Sequence, residues 1–499
     1  MLPAQRLILI TTLVACGWFS PLGLHCVAAP WGDPNDRALR HALEVVRDTG
    51  LLPGPITTWP VPWQALSDAL TALPSQPLSE QQQHALSFLK KAVEDANRVK
   101  ITSQFSTASR PRALGGFADT VRAQSEASAS IEAMGDIFAV NLSATYASAE
   151  DETDTRWRAD NSYLAARLGN WAIGLGAPER FWGPAWQGSL MLSTHAQPSA
   201  GVFIQRLSPD AFETPWLSWI GPWQITTFIN QLERERDISH AKLWGLRLTH
   251  SPFDFLELGF TRTAQFGGDT RPESLGVLKN LVLGRDNRGG GGIAEDASNE
   301  PGNQLGGLDW RASWHLMPFS GAWYGQLVGE DESGGTPSRL IGASGFEMSS
   351  ATPRVSHRVW LEGSNTLMHF NKGGMPNGAY EHGIYTSGYR YRGRNIGASS
   401  DNDAQVYSLG GLHVWESGAW ASWRLGKAYL NHDGTNLPAP GGNPLSDTAL
   451  SLWLLDTSVQ YPLSDHNLVI LGGQYLEHPI NTRTDALDSN LYITLKSFW

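Results

Sequence analysis

Apolar and polar residues alternate with a period of two along most of the chain, from Lys100 almost to its end. A period of two is that of a β-strand with one apolar and one polar face. Segments of about ten residues repeat this pattern, and we count roughly nineteen of them, too many for a single sandwich of two sheets. In one segment the apolar positions are Phe138, Val140, Leu142, Ala144 and Tyr146.

A closed transmembrane barrel formed by residues 99–499 accounts for these segments. Lipid offers no partner to an unpaired backbone group, so strands cross a membrane only in a sheet without edges. The apolar faces would then meet lipid and the polar faces the lumen. Short connections alternate with long ones, as in bacterial barrels with an even number of strands. The alternation is ambiguous between residues 364 and 405, so we predict about 18 strands, with about 20 as the alternative.

Residues 29–98 have a different pattern, in which apolar residues recur every three or four positions. This spacing predicts amphipathic helices. The first has its N-cap among residues 33–36 and Gly50 just after its end, and two more are predicted over Trp63–Leu73 and Ser79–Ala96. Three short helices cannot bury a large core of their own. We therefore expect a small bundle that packs against the barrel or plugs it.

The first 28 residues have the features of a secretory signal peptide. Arg6 precedes an apolar run, and small residues flank a cleavage point near Ala28. The alternative is a lipoprotein in which Cys16 becomes the lipidated N-terminus. Both cysteines lie in this leader, so cleavage near Ala28 leaves a chain without a thiol. Either route predicts export.

Composition narrows the class of function. The net charge of -11 argues against a nucleic-acid partner, because phosphate binding needs a basic surface. The 21 tryptophans suit a membrane interface or a sugar-binding surface. The common enzyme signatures are absent from the sequence, and we expect no enzyme activity, cofactor or metal. The last strand ends on the aromatic Trp499, the type of terminal signal read by the barrel-assembly machinery.

Two groups of motifs resemble the Wzi-type capsule-assembly proteins of Gram-negative outer membranes. The resemblance extends over most of the chain from Trp31 to about Trp310. Its motifs are Trp31-Gly32-Asp33, Asp48-Thr49-Gly50, Pro55-Ile56-Thr57-Thr58-Trp59-Pro60, Gly169-Asn170-Trp171 and Arg180-Phe181-Trp182-Gly183-Pro184.

The resemblance implies an eighteen-stranded outer-membrane barrel with a helical bundle at its periplasmic mouth. It also implies a lectin that holds capsular or surface polysaccharide at the cell surface and has no catalytic chemistry. The partners would be that polymer and outer-membrane lipid, and we expect a monomer. The alternative is a porin-like channel for oligosaccharides or small solutes, which would need an open lumen.

Two loops carry the candidate polysaccharide contacts. Aromatic faces stack on sugars, and charged or amide side chains bind hydroxyls and carboxylates. The alternative interpretation is that the first loop is a turn specific to the fold and that the second is a surface loop. The candidates are Glu179, Arg180, Trp182 and Trp186 in the first loop, and Arg271, Arg285 and Arg288 in the second.

Charged residues on the polar face of the strands predict a network inside the lumen. Such a network can hold the barrel interior together, and it can also select a solute if the lumen is open. The predicted members are Arg122, Glu126, Arg247, Glu257, Arg358 and Glu362.

Overall fold

The computed structural model describes residues 30–499 except positions 72, 74–76, 97, 120, 149–155, 283–301, 331, 334–335, 338, 370–373, 440 and 482–485. The predicted signal peptide and Cys16 lie outside the described residues. In the described part of the chain, the helices are all too short or too polar to cross a membrane.

Eighteen antiparallel strands form a closed barrel, which confirms the predicted fold class. Each strand pairs with its neighbours in the chain, and the first strand pairs with the last, for example Thr102 with Phe498. The strands are β1 Lys100–Ala108, β2 Ser125–Met134, β3 Phe138–Ala147, β4 Tyr163–Leu168, β5 Trp171–Gly176, β6 Gly201–Arg206, β7 Trp223–Gln231, β8 Lys242–Phe253, β9 Leu256–Phe266, β10 Gly302–Leu316, β11 Phe319–Glu330, β12 Leu340–Ala351, β13 Val355–Asn365, β14 Ala404–Trp415, β15 Trp420–Leu430, β16 Leu450–Ser464, β17 Asn467–Leu476 and β18 Asn490–Phe498.

The alternation along each strand has the direction expected of a barrel in lipid. In β3 the side chains of Phe138, Leu142 and Tyr146 are exposed on the outside, whereas Asn141 and Thr145 are buried inside. Exposed apolar rings on a closed sheet face hydrocarbon, and the polar residues between them line the interior. The lumen of this barrel is therefore its polar side.

Within the ambiguous region, the described residues between Asn365, where β13 ends, and Ala404, where β14 begins, form no further barrel strand. Strand β13 pairs directly with β14, for example Ser364 with Val406, which gives eighteen strands and excludes twenty. The segment between them folds into the barrel, where Tyr380, Tyr385 and Tyr389 are buried. Its apolar residues are therefore core residues that mimic a strand pattern.

One residue predicted on the polar face of a strand lies outside the strands. Arg122 precedes β2, which begins at Ser125. The residues before it turn into the barrel, and the Arg122 guanidinium donates to the carbonyl of Thr194 (Nε–O 3.2 Å). A buried arginine needs such partners, and the wall position would not supply them.

The predicted N-terminal helices are present, with ends close to those predicted. In the first, the Asp36 carboxylate caps the helix by accepting from the Leu39 amide (2.9 Å), and Gly50 follows its end with a φ of +74°. Ser79 and Gln82 form a reciprocal capping box before the third helix. The described helices are α1 Arg37–Asp48, α2 Trp63–Thr71, α3 Glu80–Ala96 and, between β9 and β10, α4 Leu275–Val282.

The three N-terminal helices gather at the end of the barrel that has the short connections, which we call the helix mouth. On α3, Gln81 donates to the carbonyl of Pro318 (3.3 Å) and His84 to that of Pro353 (3.0 Å), in two short turns at this end. The other end carries the long connections, and we call it the loop mouth. Helix α1 lies inside the barrel, with residues 38–48 all buried.

Candidate functional site

Helix α1 is bound to the barrel wall through charged side chains. Its Asp48 carboxylate accepts from Arg311 of β10 (Nη2–Oδ2 2.9 Å). Its Glu44 carboxylate lies 3.3 Å from Nη1 of Arg358 on β13, and the same nitrogen lies 2.8 Å from Glu347 of β12. Buried charges of opposite sign compensate one another only when they are in contact. The ion network therefore holds α1 in one position in the lumen.

His41 on α1 adds neutral hydrogen bonds to this network. Its Nδ1 accepts from Nε of Arg358 (3.0 Å), and its Nε2 lies 2.7 Å from the Ser356 hydroxyl. Burial, with the positive charge of Arg358, lowers the pKa of His41 well below its usual value. A neutral imidazole suits this position because a protonated Nδ1 could not accept from a guanidinium.

The segment after α1 meets a loop that enters from the loop mouth. Residues Thr58–Trp59 form a two-residue antiparallel pair with Phe181–Trp182, in the connection between β5 and β6. Glu257 of β9 accepts from the amides of Ile56 and Thr57 (both 3.0 Å). The lumen is thus occupied from both ends by chain that is hydrogen-bonded to the wall.

Arg247 of the predicted lumen network supports the same junction. Its guanidinium donates to the hydroxyls of Thr57 (2.8 Å) and Thr58 (2.9 Å) and to the Asp309 carboxylate (2.6 Å). Arg247 is fully buried. A buried guanidinium whose donors are all bonded rigidifies the groups around it, so Arg247 fixes the segment after α1 to the wall.

Trp186 fixes the loop further along. Its backbone amide donates to Glu362 (2.6 Å) and its indole N–H to Glu347 (2.9 Å), while its ring stacks on Trp360 at 5.0 Å between centroids. Trp186 is 4% exposed and Trp182 is 0% exposed. Neither ring is open to a polymer, because the loop folds inward to satisfy wall carboxylates. We therefore correct the interpretation of both rings as sugar contacts.

Glu179 pairs with a partner that the sequence pattern did not indicate. Its carboxylate lies 2.7 Å from Nη1 of Arg122 and also accepts from Asn35. Glu126, another predicted member of the lumen network, forms an ion pair with Arg158 at 2.5 Å. The alternation did not separate these pairs, because Arg122 lies in the connection and not on the wall.

Arg180 lies beside a cleft at the loop mouth, and it differs from Arg247 and Arg311 in having no ion-pair partner among the described residues. Its guanidinium carbon lies 4.5 Å from the Phe228 ring centroid and 5.5 Å from that of Phe203. One nitrogen, Nη1, donates to the carbonyl of Pro178 (3.3 Å), and Nη2 has no hydrogen-bond partner among the described residues. Burial lowers the pKa of Arg180 to about 9.

The cleft is small, with a cavity volume of about 30 Å³, which leaves room for a group the size of two or three water molecules, such as a carboxylate. Its walls come from segments far apart in the chain, which explains why the sequence did not indicate most of them. Besides Glu179 and Arg180, the polar lining includes Thr194, Gln197, Asn230 and Tyr391.

The second predicted loop is described only in part. Arg271 lies in the connection after β9 and hydrogen-bonds the hydroxyl of Tyr385, a buried residue of the segment between β13 and β14. Arg285 and Arg288 lie outside the described residues. A role for these three arginines in polymer binding stays a prediction.

The sequence analysis missed several lumen residues. Arg311, Glu347 and Asp309 lie on the polar face of strands, and Glu44 and Asp48 lie on the polar face of α1. The helical pattern and the strand pattern both showed these charged residues. A helix with charges of both signs on its polar face can pair with a barrel wall that carries the opposite charges. What the patterns could not show is which faces meet.

Comparison with known proteins places these features in a family. The family model described as capsule assembly protein Wzi matches residues 96–490. A protein of 55.8 kDa from the cps region of Klebsiella pneumoniae, itself uncharacterized, is 32% identical over 338 residues, which are 67% of this chain. The match spans 65% of the length of that relative.

Among solved structures, Wzi of Escherichia coli is 26% identical, with a TM-score of 0.79 over 93% of this chain and 98% of that one. It is described as an outer-membrane protein involved in group 1 capsule assembly and as a carbohydrate-binding β-barrel. OprD of Pseudomonas aeruginosa is 9% identical, with a TM-score of 0.46 over 80% of this chain and 92% of that one, a likeness too low to bear on solute passage. The family model matches well over half of the chain, which shows that this chain belongs to the Wzi family of capsule assembly proteins.

Proposed function

We propose that this protein is an outer-membrane lectin that acts in capsule assembly, binding capsular or surface polysaccharide and anchoring it at the cell. Family membership and the carbohydrate-binding description of the Escherichia coli relative support the proposal. The observation that carries it is the closed lumen. With α1 and the loop of Phe181–Trp182 bonded to the wall and to each other, the loop mouth is the surface left for a ligand.

In this proposal the helix mouth faces the periplasm and the loop mouth faces the outside. The first strand begins at Lys100 and the last ends at Phe498, both at the helix mouth, as in bacterial barrels whose ends lie in the periplasm. Long connections are typical of the outer side. A polymer at the cell surface would then meet the loop mouth first.

A channel function would need α1 to leave the lumen. That movement separates Asp48 from Arg311 and Glu44 from Arg358, and leaves charges in a buried setting without partners. Breaking one buried ion pair costs about 3–5 kcal/mol, so spontaneous opening would be rare. The structure therefore favours a binding role over a conducting one.

Two assays on one refolded preparation test the proposal. The first measures conductance in planar bilayers, with a general porin as the positive control. The second measures binding of the purified surface polysaccharide of the source organism. We expect saturable binding and no conductance steps. Steps in the range of the porin control, without binding, would overturn the lectin proposal and support a channel.

A further inference from the structure

Arg180 is a buried cation without a carboxylate partner among the described residues. It is 7% exposed, and the neighbouring acid, Glu179, is already paired with Arg122 and Asn35. Arg247 and Arg311, equally buried, each contact a carboxylate of the wall or of α1. An isolated buried charge is costly unless a partner arrives. Arg180 therefore has a buried donor, Nη2, that remains without a partner beside the cleft in the described part of the chain.

Other polar atoms in the same cleft lack partners in the described part of the chain. They are the Thr194 hydroxyl and the side-chain oxygen of Asn230. The amide nitrogen of Asn230 is fixed by Ser199 (2.8 and 2.9 Å), so its oxygen is held in place. A cation, a hydroxyl and an amide oxygen beside one cleft match the anionic group and the hydroxyls of an acidic sugar.

The cleft is accessible from the side where a surface polymer would arrive. Asn230 lies at the loop-mouth end of β7 and Leu243 at that of β8, and the remaining walls come from the in-folded connections. The rings of Phe228 and Phe203 lie against the Arg180 guanidinium. These contacts hold the guanidinium beside the cleft, where its Nη2 has no partner among the described residues and can donate to a carboxylate.

We propose that this cleft is a subsite for the carboxylate of an acidic sugar in the bound polysaccharide, with Arg180 as its cationic contact. The inference rests on the proposed lectin function and adds the ligand class. Thr194 and Asn230 bind the sugar hydroxyls beside the carboxylate. Trp182 and Trp186, buried below, support the loop and do not touch the ligand.

The test compares one polymer in two chemical forms. The surface polysaccharide of the organism is used as purified, and again after its uronic-acid carboxyls have been reduced to alcohols, which keeps the linkages. The wild-type protein is expected to bind the native form at least about 10-fold more tightly, because a charge-assisted hydrogen bond is lost on reduction.

Arg180→Gln is expected to remove this preference while retaining binding of the reduced form, and Arg180→Lys to retain part of it. The matched control is Arg206→Gln, which changes another buried arginine that stacks on an aromatic ring, Trp223 at 3.9 Å, at the helix mouth. The control is expected to keep the full preference. Because Arg180→Gln removes an uncompensated charge, its unfolding midpoint in urea is expected to be unchanged or higher.

Each other outcome is decisive. Equal binding of the two forms by the wild-type protein would overturn the subsite and leave the lectin function standing. Binding of neither form would contradict the lectin function itself. A lower unfolding midpoint for Arg180→Gln, with binding of both forms lost, would show that Arg180 is a structural residue, and an unchanged preference in that variant would also refute the subsite.

Discussion

Trp186 shows how single residues close this barrel. Its indole and amide groups satisfy two wall carboxylates, and its ring covers Trp360. The Arg40 guanidinium of α1 lies 4.2 Å from the Trp186 ring centroid on another side. One side chain thus joins the loop, the wall and the helix. At this scale, such residues connect the parts of the interior within a large buried apolar cluster that also contains Trp59, Phe117 and Phe181.

Replacing Trp186 is expected to destabilise the protein strongly. Trp186→Leu removes the ring and leaves the Glu347 carboxylate without its indole donor, so we expect a loss of about 3–5 kcal/mol in the free energy of unfolding. Urea unfolding in detergent measures it. Trp219→Leu, at a ring that is exposed at the helix mouth, is the control and is expected to change little. Equal effects of the two variants would contradict the role given to Trp186.

His41 makes the stability of the α1 contact depend on pH. Its pKa is lowered in the folded protein, so the unfolded chain takes up a proton as the pH falls through about 6.5 and the folded protein does not. The contribution of His41 is therefore complete above that pH and decreases below it. We expect the destabilisation caused by His41→Gln to be largest above pH 7 and to shrink by up to about 1.4 kcal/mol per pH unit below about pH 6.5.

The comparison of wild type with His41→Gln cancels the other groups that titrate in this range, such as Asp403, whose pKa burial raises to about 6. Urea unfolding at a series of pH values provides the data. A difference between the two proteins that stays constant from pH 5 to pH 8 would show that His41 is not neutral in the folded protein.

Sequence reasoning was less successful for residues than for elements. It indicated buried wall charges such as Arg247, Glu257 and Arg358, because polar residues at the inward-facing positions of a strand are visible in the alternation. It misjudged Trp182 and Trp186, since tryptophan is equally common in an interface, a sugar site and a core. Only the path of the loop decides among these, and the hydrogen bonds that fix this path connect residues more than 100 positions apart.

At the scale of elements, α1 is the part whose position determines whether the barrel is closed. It is short and polar on one side, and on its own it would not bury that side. The wall supplies matching charges from β10, β12 and β13, in particular Arg311, Glu347 and Arg358. The helix and the wall therefore need each other in order to bury their charges.

Breaking this match from one side is expected to be costly. Arg311→Met leaves Asp48 and Glu347 buried with less positive charge, and we expect a loss of about 3–5 kcal/mol in the free energy of unfolding. The triple variant Arg311→Met/Asp48→Asn/Glu347→Gln, which removes the charges together, is expected to recover part of it. Arg354→Met, at an exposed arginine in a turn of the helix mouth, is the control. A triple variant weaker than Arg311→Met would contradict the network.

Trp499, which follows β18, is the residue predicted to matter for assembly of the barrel in the cell. Trp499 pairs with Ile101 through its backbone (3.0 and 3.1 Å), while its side chain is 64% exposed. If the ring is the signal for the barrel-assembly machinery, Trp499→Ala is expected to lower the amount in the outer membrane several-fold. Refolded Trp499→Ala should unfold at the same urea concentration as wild type, because its backbone pairing is retained.

Immunoblots of isolated outer membranes measure the first quantity and urea unfolding the second. Tyr461→Ala, which removes an exposed ring of β16, is the matched control and should reach the membrane normally. Normal membrane levels of Trp499→Ala would show that the terminal ring is not the signal.

At the scale of the whole molecule, the barrel could be predicted because the period of two persists for hundreds of residues, and only a closed sheet satisfies it in lipid. The strand number could not be settled, since residues 366–403 carry apolar residues such as Tyr380 and Tyr389 at strand-like spacing and bury them inside the barrel. The spacing of apolar residues predicts which side chains avoid water, but it does not predict whether lipid or the barrel interior surrounds them.

The pairing of β1 with β18 has a consequence for the gene. The first strand of the barrel receives its second neighbour from a strand that is translated almost 400 residues later, for example Thr107 from Ile493. A stop codon shortly before Asn490 would remove β18 and leave two open sheet edges, on β1 and β17, that lipid cannot satisfy. A nonsense allele at this point should therefore behave as a complete null and not as a partially active form.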